Sequence, residues 1–106
     1  MKIRHIDEFN GGWFIGNFEP TVYKTKLFEV CYKYHKKGEL WDAHYHEIGL
    51  EINLMISGKM KTQGQILGPG DIFIISPGEV SAPEFLEDCK IIVIKSPSIP
   101  GDKYIV

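Results

Sequence analysis

The chain has 106 residues and a mass of 12.1 kDa; 43% of it is hydrophobic, 25% is charged, and its formal net charge is −2. That length suits one domain, and a chain of this mass buries about two-thirds of its unfolded surface, enough for a core without disulfides or a structural metal. With no basic excess, nucleic acid is not expected as the main partner, because phosphate binding needs clustered Lys and Arg.

Met1 to Glu8 has no apolar stretch of the signal-peptide kind, and no apolar run approaches 18 residues. A cytoplasmic protein with no membrane partner is therefore expected. Cys31 and Cys89 are far apart in strand-like segments and read as two buried free thiols.

In chain order the segments read as strands. No stretch of 11 or more residues shows the i, i+3, i+4, i+7 apolar spacing of a helix. Asn10-Gly11-Gly12 is a turn signal before Trp13-Phe14-Ile15. Leu27 to His35 is a long strand ending at Lys36-Lys37-Gly38, a solvated turn. Leu50 to Ile56 is a strand ending at Ser57-Gly58. Lys59 to Thr62 and Gln65 to Leu67 form a hairpin around Gln63-Gly64. Gly68 to Asp71 turns into the strand Ile72 to Ile75, and Ser76 to Glu79 turns again. Cys89 to Lys95 is the last strand, and residues 96–106 are Pro-spaced and read as an extended arm. Strands at this spacing imply an all-β sandwich or barrel. The single domain divides into N-terminal strands over 1–37, a barrel over 38–95 and the arm.

The chemistry concentrates between Gly38 and Gly58. His44 and His46 are two apart, so on a strand their imidazoles share a face about 7 Å apart. Glu51 lies at an odd offset, which a bend near Gly49 would correct. Two imidazoles and a carboxylate converging this way suit a divalent transition metal such as Mn, Fe, Ni or Zn. A bare pair of strand histidines with no ligand role is the plainer alternative.

The flanking spacing is more specific. Gly38, five residues, His44, one, His46, four, Glu51, six, Gly58 resembles the full first motif of the cupin family. Gly70 to Gly78, a Gly-Asp turn, a strand and a Pro-Gly turn, resembles its second motif. The resemblance covers at least Gly38 to Phe85. It implies a double-stranded β-helix, or jelly-roll barrel, with a site in its mouth and a metal held by His44, His46 and Glu51. The second motif lacks its usual histidine, because Ser81 stands there, and a neutral hydroxyl is a poor metal ligand. Glu79 and Glu84 are candidates for a further ligand, and Trp41 and Tyr45 are the aromatic candidates for the site. His5 and His35 read as surface residues.

If Glu51 points inward, Asn53 and Met55 follow it, and Ile52, Leu54 and Ile56 point outward. Either the N-terminal strands or a second subunit would cover that patch. Small cupins pair as dimers, so the resemblance implies a homodimer.

Three functions compete. The first is a metal-dependent isomerase, epimerase or dioxygenase-type cupin acting on an oxygen-rich small molecule, such as a sugar, sugar derivative or small carboxylic acid. The second is a metal-free sugar epimerase or isomerase using a motif histidine as base. That reading wants a cationic residue, and the only Lys or Arg near the motifs in sequence are Lys36, Lys37, Lys59 and Lys61. The third is a non-catalytic small-molecule-binding module.

Overall fold

A computed structural model describes residues 1–106. Two 3-10 turns, Ile6–Glu8 and Asn10–Gly12, lead into eleven strands. These are β1 Trp13–Gly16, β2 Tyr23–Lys24, β3 Glu29–His35, β4 His44–Tyr45, β5 Leu50–Ser57, β6 Met60–Thr62, β7 Gln65–Leu67, β8 Ile72–Ile75, β9 Glu84–Phe85, β10 Cys89–Ser96 and β11 Tyr104–Ile105. No helix is long and apolar enough to cross a membrane.

The longer strands form one six-stranded sheet in the order β2-β1-β3-β10-β5-β8. The short strands form a three-stranded sheet, β7-β6-β9, and a two-stranded one, β11-β4. The topology is a jelly roll. Its strands are those the β-branched and aromatic runs predict, apart from four two-residue strands too short to show any periodicity. One of these corrects the reading of the tail. Tyr104 and Ile105 are not a free arm but pair with Tyr45 and His44.

The apolar core fills one end of the roll. Met55, Met60, Phe85, Cys89 and Ile91 are its buried centre, with Trp41, Leu67, Phe73 and Val93 packed around them. Both cysteines are free and fully buried. Gly58 makes the corner from β5 to β6 at φ +86°, and a Cβ there would meet the Asp88 carbonyl oxygen at 2.1 Å. Both the left-handed backbone and that backbone contact penalise a side chain. Gly58→Ala is therefore expected to cost about 2–4 kcal/mol in urea unfolding.

Strand alternation decides the faces. Glu51, Asn53 and Met55 point inward, with Asn53 and Met55 buried. The outward face carries Ile56, Ile72 and Ile74, which are 44%, 66% and 57% exposed. The N-terminal strands extend the edge of the large sheet beside β3 and leave these side chains uncovered.

Candidate functional site

Against this core, with Met60, Phe85 and Ile91 in its lining, the roll opens into a cavity of about 380 Å³. Register lays out its floor. On β3, Glu29, Cys31, Lys33 and His35 share the inner face; on β10, Cys89, Ile91, Val93 and Lys95 do so. The ladders align Glu29 with Lys95, and Lys95 with Glu51, so one polar rung crosses three strands. The next rung, Cys31, Val93 and Asn53, is the floor beneath it.

His44 and His46 face this rung from the other side of the cavity. Their rings are 5.5 Å apart and nearly perpendicular. His44 Nδ1 is 3.0 Å from the Asp42 carbonyl oxygen. A carbonyl only accepts, so Nδ1 carries a proton and the ring is oriented by this bond. His46 Nδ1 is 4.0 Å from Glu51 Oε1, and its Nε2 is 3.5 Å from Lys95 Nζ. Burial, then the Lys95 ammonium, holds His46 below the ordinary imidazole range, outweighing the opposite pull of Glu51. His46 is therefore neutral at pH 7. Asn53 Nδ2 donates to Glu51 at 3.0 Å.

The loop from His46 to Gly49 is fixed by a residue far away in sequence. The buried Asp102 carboxylate accepts from the backbone N–H groups of Glu47 (3.0 Å), Ile48 (3.2 Å) and Gly49 (2.8 Å). Burial raises its pKa, but the N–H groups of Gly49, Glu47 and Ile48 outweigh that, and the carboxyl stays below the usual range. Chain spacing gives no sign of this contact.

Lysines make the electrostatics of the mouth. Lys95 pairs with Glu29 at 3.2 Å and lies 4.9 Å from the centre of the Trp13 ring. Lys33 lies over the same ring at 5.9 Å, and Lys103 over Trp41 at 4.4 Å. Neither Lys33 nor Lys103 has an ion-pair partner, whereas Glu29 is held by Lys95 and Ser98 and Asp102 by backbone N–H groups. Burial, then repulsion from Lys95 and Lys33, lowers the Lys103 pKa.

His35 is a correction. It is buried, 7% exposed, and lines the cavity. Its Nδ1 is 2.5 Å from Glu39 Oε2, and Trp41 Nε1 donates to the same oxygen at 2.6 Å. Burial raises the Glu39 pKa, but the bonds from Trp41 and His35 prevail and hold the carboxyl below its ordinary value. His35 thus has an oriented imidazole with Nε2 unbonded to protein. Thiol chemistry is absent from the mouth, because burial pushes Cys31 up to about 12.

The other candidates divide. Trp41 lines the cavity. Ser81 does too, bridged to His44 through both backbone groups, with its hydroxyl 3.1 Å from that of Thr62. Tyr45 does not, because it stacks on Tyr104 across the β4–β11 pair. Glu79 is half-buried and accepts from the Ser76 N–H in its own turn. Glu84 is exposed on β9, opposite Lys61. Neither carboxylate lines the cavity: on β9 the inward position belongs to Phe85, and Glu79 lies in the turn after β8.

No three His, Cys, Asp or Glu side chains stand close enough together to chelate an ion. His44 is suitably oriented and His46 suitably neutral, but Glu51 turns to Asn53 and the His46 lone pair faces an ammonium. In this arrangement His44, His46 and Glu51 line one cavity without fitting a resident divalent metal.

Similar structures show what the architecture is. A Klebsiella pneumoniae protein with a double-stranded β-helix domain matches 99% of this chain and 91% of its own, at 23% identity and TM-score 0.73. The DMSP lyase DddQ of Ruegeria pomeroyi matches 89% of this chain at 18% identity and TM-score 0.74. Oxalate decarboxylase of Bacillus subtilis matches 76% at 16% identity and TM-score 0.68. Other matches are described as cupins. The chain has the cupin fold. It spans about half (49%) of the DddQ chain and 24% of the oxalate decarboxylase chain. At these identities the likeness is one of fold. No protein-family model matches the chain, and no curated protein matches it in sequence.

Proposed function

We propose that this chain binds a small acidic sugar, or a related oxygen-rich carboxylate, in the mouth of its cupin fold. The observation that carries this is the pair of unpartnered lysines, Lys33 and Lys103, above tryptophan rings in one cavity. The ammonium groups suit a carboxylate, the Trp13 and Trp41 faces suit the apolar side of a sugar ring, and Glu51, Asn53 and His44 suit its hydroxyls. Neighbours in fold support small acids as a class, since one is named for acting on oxalate. The Glu39-oriented His35, whose Nε2 is unbonded to protein, is placed to take a proton from such a ligand, which leaves room for an isomerase or epimerase.

The test is calorimetry with a panel of sugar acids and their neutral parents. Galacturonate, glucuronate or gluconate is expected to bind; galactose and glucose are not. Equal binding of the neutral sugars would overturn the reading.

The second reading is a divalent ion, Mn, Fe, Ni or Zn, on His44, His46 and Glu51. The orientation of His44 favours it, and a neighbour in fold is described with Mn(II) centres. It requires Lys95 to leave His46.

We also infer a homodimer through the outer face of the large sheet. Exposed Ile56, Ile72 and Ile74 form an apolar patch of the kind that marks an interface. In sedimentation velocity the wild type is expected to be dimeric, and Ile74→Asp monomeric with an unchanged circular dichroism spectrum. A monomeric wild type would overturn this.

A further inference from the structure

We infer that the Lys95 ammonium is the resident cation of this cupin mouth, seated on the histidine lone pair a divalent metal would need. Three observations place it there. The sheet register sets Lys95 between Glu29 on β3 and Glu51 on β5, so its neighbours on both sides of the rung are carboxylates. Its Nζ lies 3.2 Å from Glu29 Oε1 and 3.5 Å from His46 Nε2, with only 15% of the side chain exposed. The groups around it are themselves tied down. Ser98 Oγ donates to Glu29 at 3.0 Å and accepts from the Asn17 N–H at 2.9 Å, and Asn53 holds Glu51.

A divalent ion and this ammonium exclude each other. Both need the same imidazole lone pair, and two cations a few ångströms apart in a part-buried site repel strongly. The position facing His44 adds no ligand to help an ion compete, since the Ser81 hydroxyl pairs with Thr62. The Glu29 carboxylate already neutralises this lysine, and Glu51 is held by Asn53. A ligand in this mouth therefore meets a proton-bearing cation and not a Lewis acid. This inference shares the cavity of the proposed function but not its ligand, so a failure to bind sugar acids leaves it standing.

The experiment is titration of purified, tag-free protein with MnCl₂, NiCl₂ and ZnCl₂ by calorimetry, with elemental analysis of the purified protein. Wild type is expected to carry and bind no stoichiometric metal. Lys95→Met, which keeps the length of the side chain and removes its charge, is expected to bind Ni²⁺ or Zn²⁺ at least 100-fold more tightly. Adding His46→Gln to that variant is expected to abolish the gain. One tightly bound ion in wild type, or a folded Lys95→Met with no gain, would overturn the assignment. Histidine ¹⁵N NMR on wild type needs no variant. The His46 Nε2 resonance is expected to stay unchanged on adding ZnCl₂, and a metal-ligation shift there would equally overturn it.

Discussion

Sugar-acid binding is expected to fall at least 100-fold in the double variant Lys33→Met/Lys103→Met. Each ammonium is placed to give one charge-assisted hydrogen bond to a carboxylate, worth about 1.5–3 kcal/mol. Losing both removes about 3–6 kcal/mol, and each 1.4 kcal/mol is tenfold in affinity. The methionines keep the aliphatic stems over Trp13 and Trp41, so packing is preserved and the loss reads as charge. The fold is expected to gain slightly, because Lys103 is crowded by Lys95 and Lys33 in the free protein. Unchanged affinity, measured by calorimetry at moderate salt, would show that the ligand's charge is met elsewhere.

A stability effect as large as that at Gly58 is expected at Asp102. Its carboxylate holds three consecutive backbone N–H groups, from Glu47 to Gly49, in a loop with no other cap. Asp102→Asn keeps one acceptor oxygen, removes the charge and turns a donor toward the N–H cluster. The expected cost is about 2–4 kcal/mol, a large fraction of the stability of a domain this size. By the usual scaling this lowers Tm by roughly 10–20 °C. The pH dependence separates this cause from general damage. The carboxyl is held below its ordinary 3.8, so its contribution is present above about pH 3.8 and lost as pH falls through the lower folded-state value. The gap between wild type and Asp102→Asn should therefore be constant near neutrality and close on acidification. A gap that stays constant to pH 2 would rule out the carboxylate as the source. Because the loop ends at His46 and Asp102 precedes Lys103, the same variant is expected to weaken ligand binding.

Much of the scaffold is legible in the amino-acid order. β3, β5, β8 and β10 are long enough to show β-branched runs, and the turns between them carry Gly, Pro or Asp. The spacing from Gly38 to Gly58 points to the cupin fold by resemblance to its first motif, and one member shows a local physical reason. That member is Gly58, since no side chain fits its corner. β4, β9 and β11 are not legible, because two residues have no period. Their existence depends on partners elsewhere, as when Tyr104 meets Tyr45.

The site shows the same division more sharply. His44, His46 and Glu51 are close in sequence, and their meeting in one cavity follows from alternation plus one bend. Lys33 and Lys95 had a weaker signal. Once Cys31 and Cys89 are taken as buried, alternation turns Lys33 and Lys95 to the same inner face. His35 follows by that rule too, against its reading as a surface residue.

By itself, then, the sequence of this small, nearly neutral chain determined an all-β fold, its main strands, its inward and outward faces, and a histidine-bearing mouth. These are consequences of period, turn chemistry and short-range spacing. Only the tertiary structure decided what that mouth contains. The pairing of β10 with both β3 and β5 put Lys95 between two glutamates and against His46. The return of the tail brought Asp102 under the loop and Lys103 over Trp41. Those contacts join residues far apart in the chain. Such meetings are set by how whole strands pack, because folding gains its free energy from the buried faces and the polar rung is carried along with them.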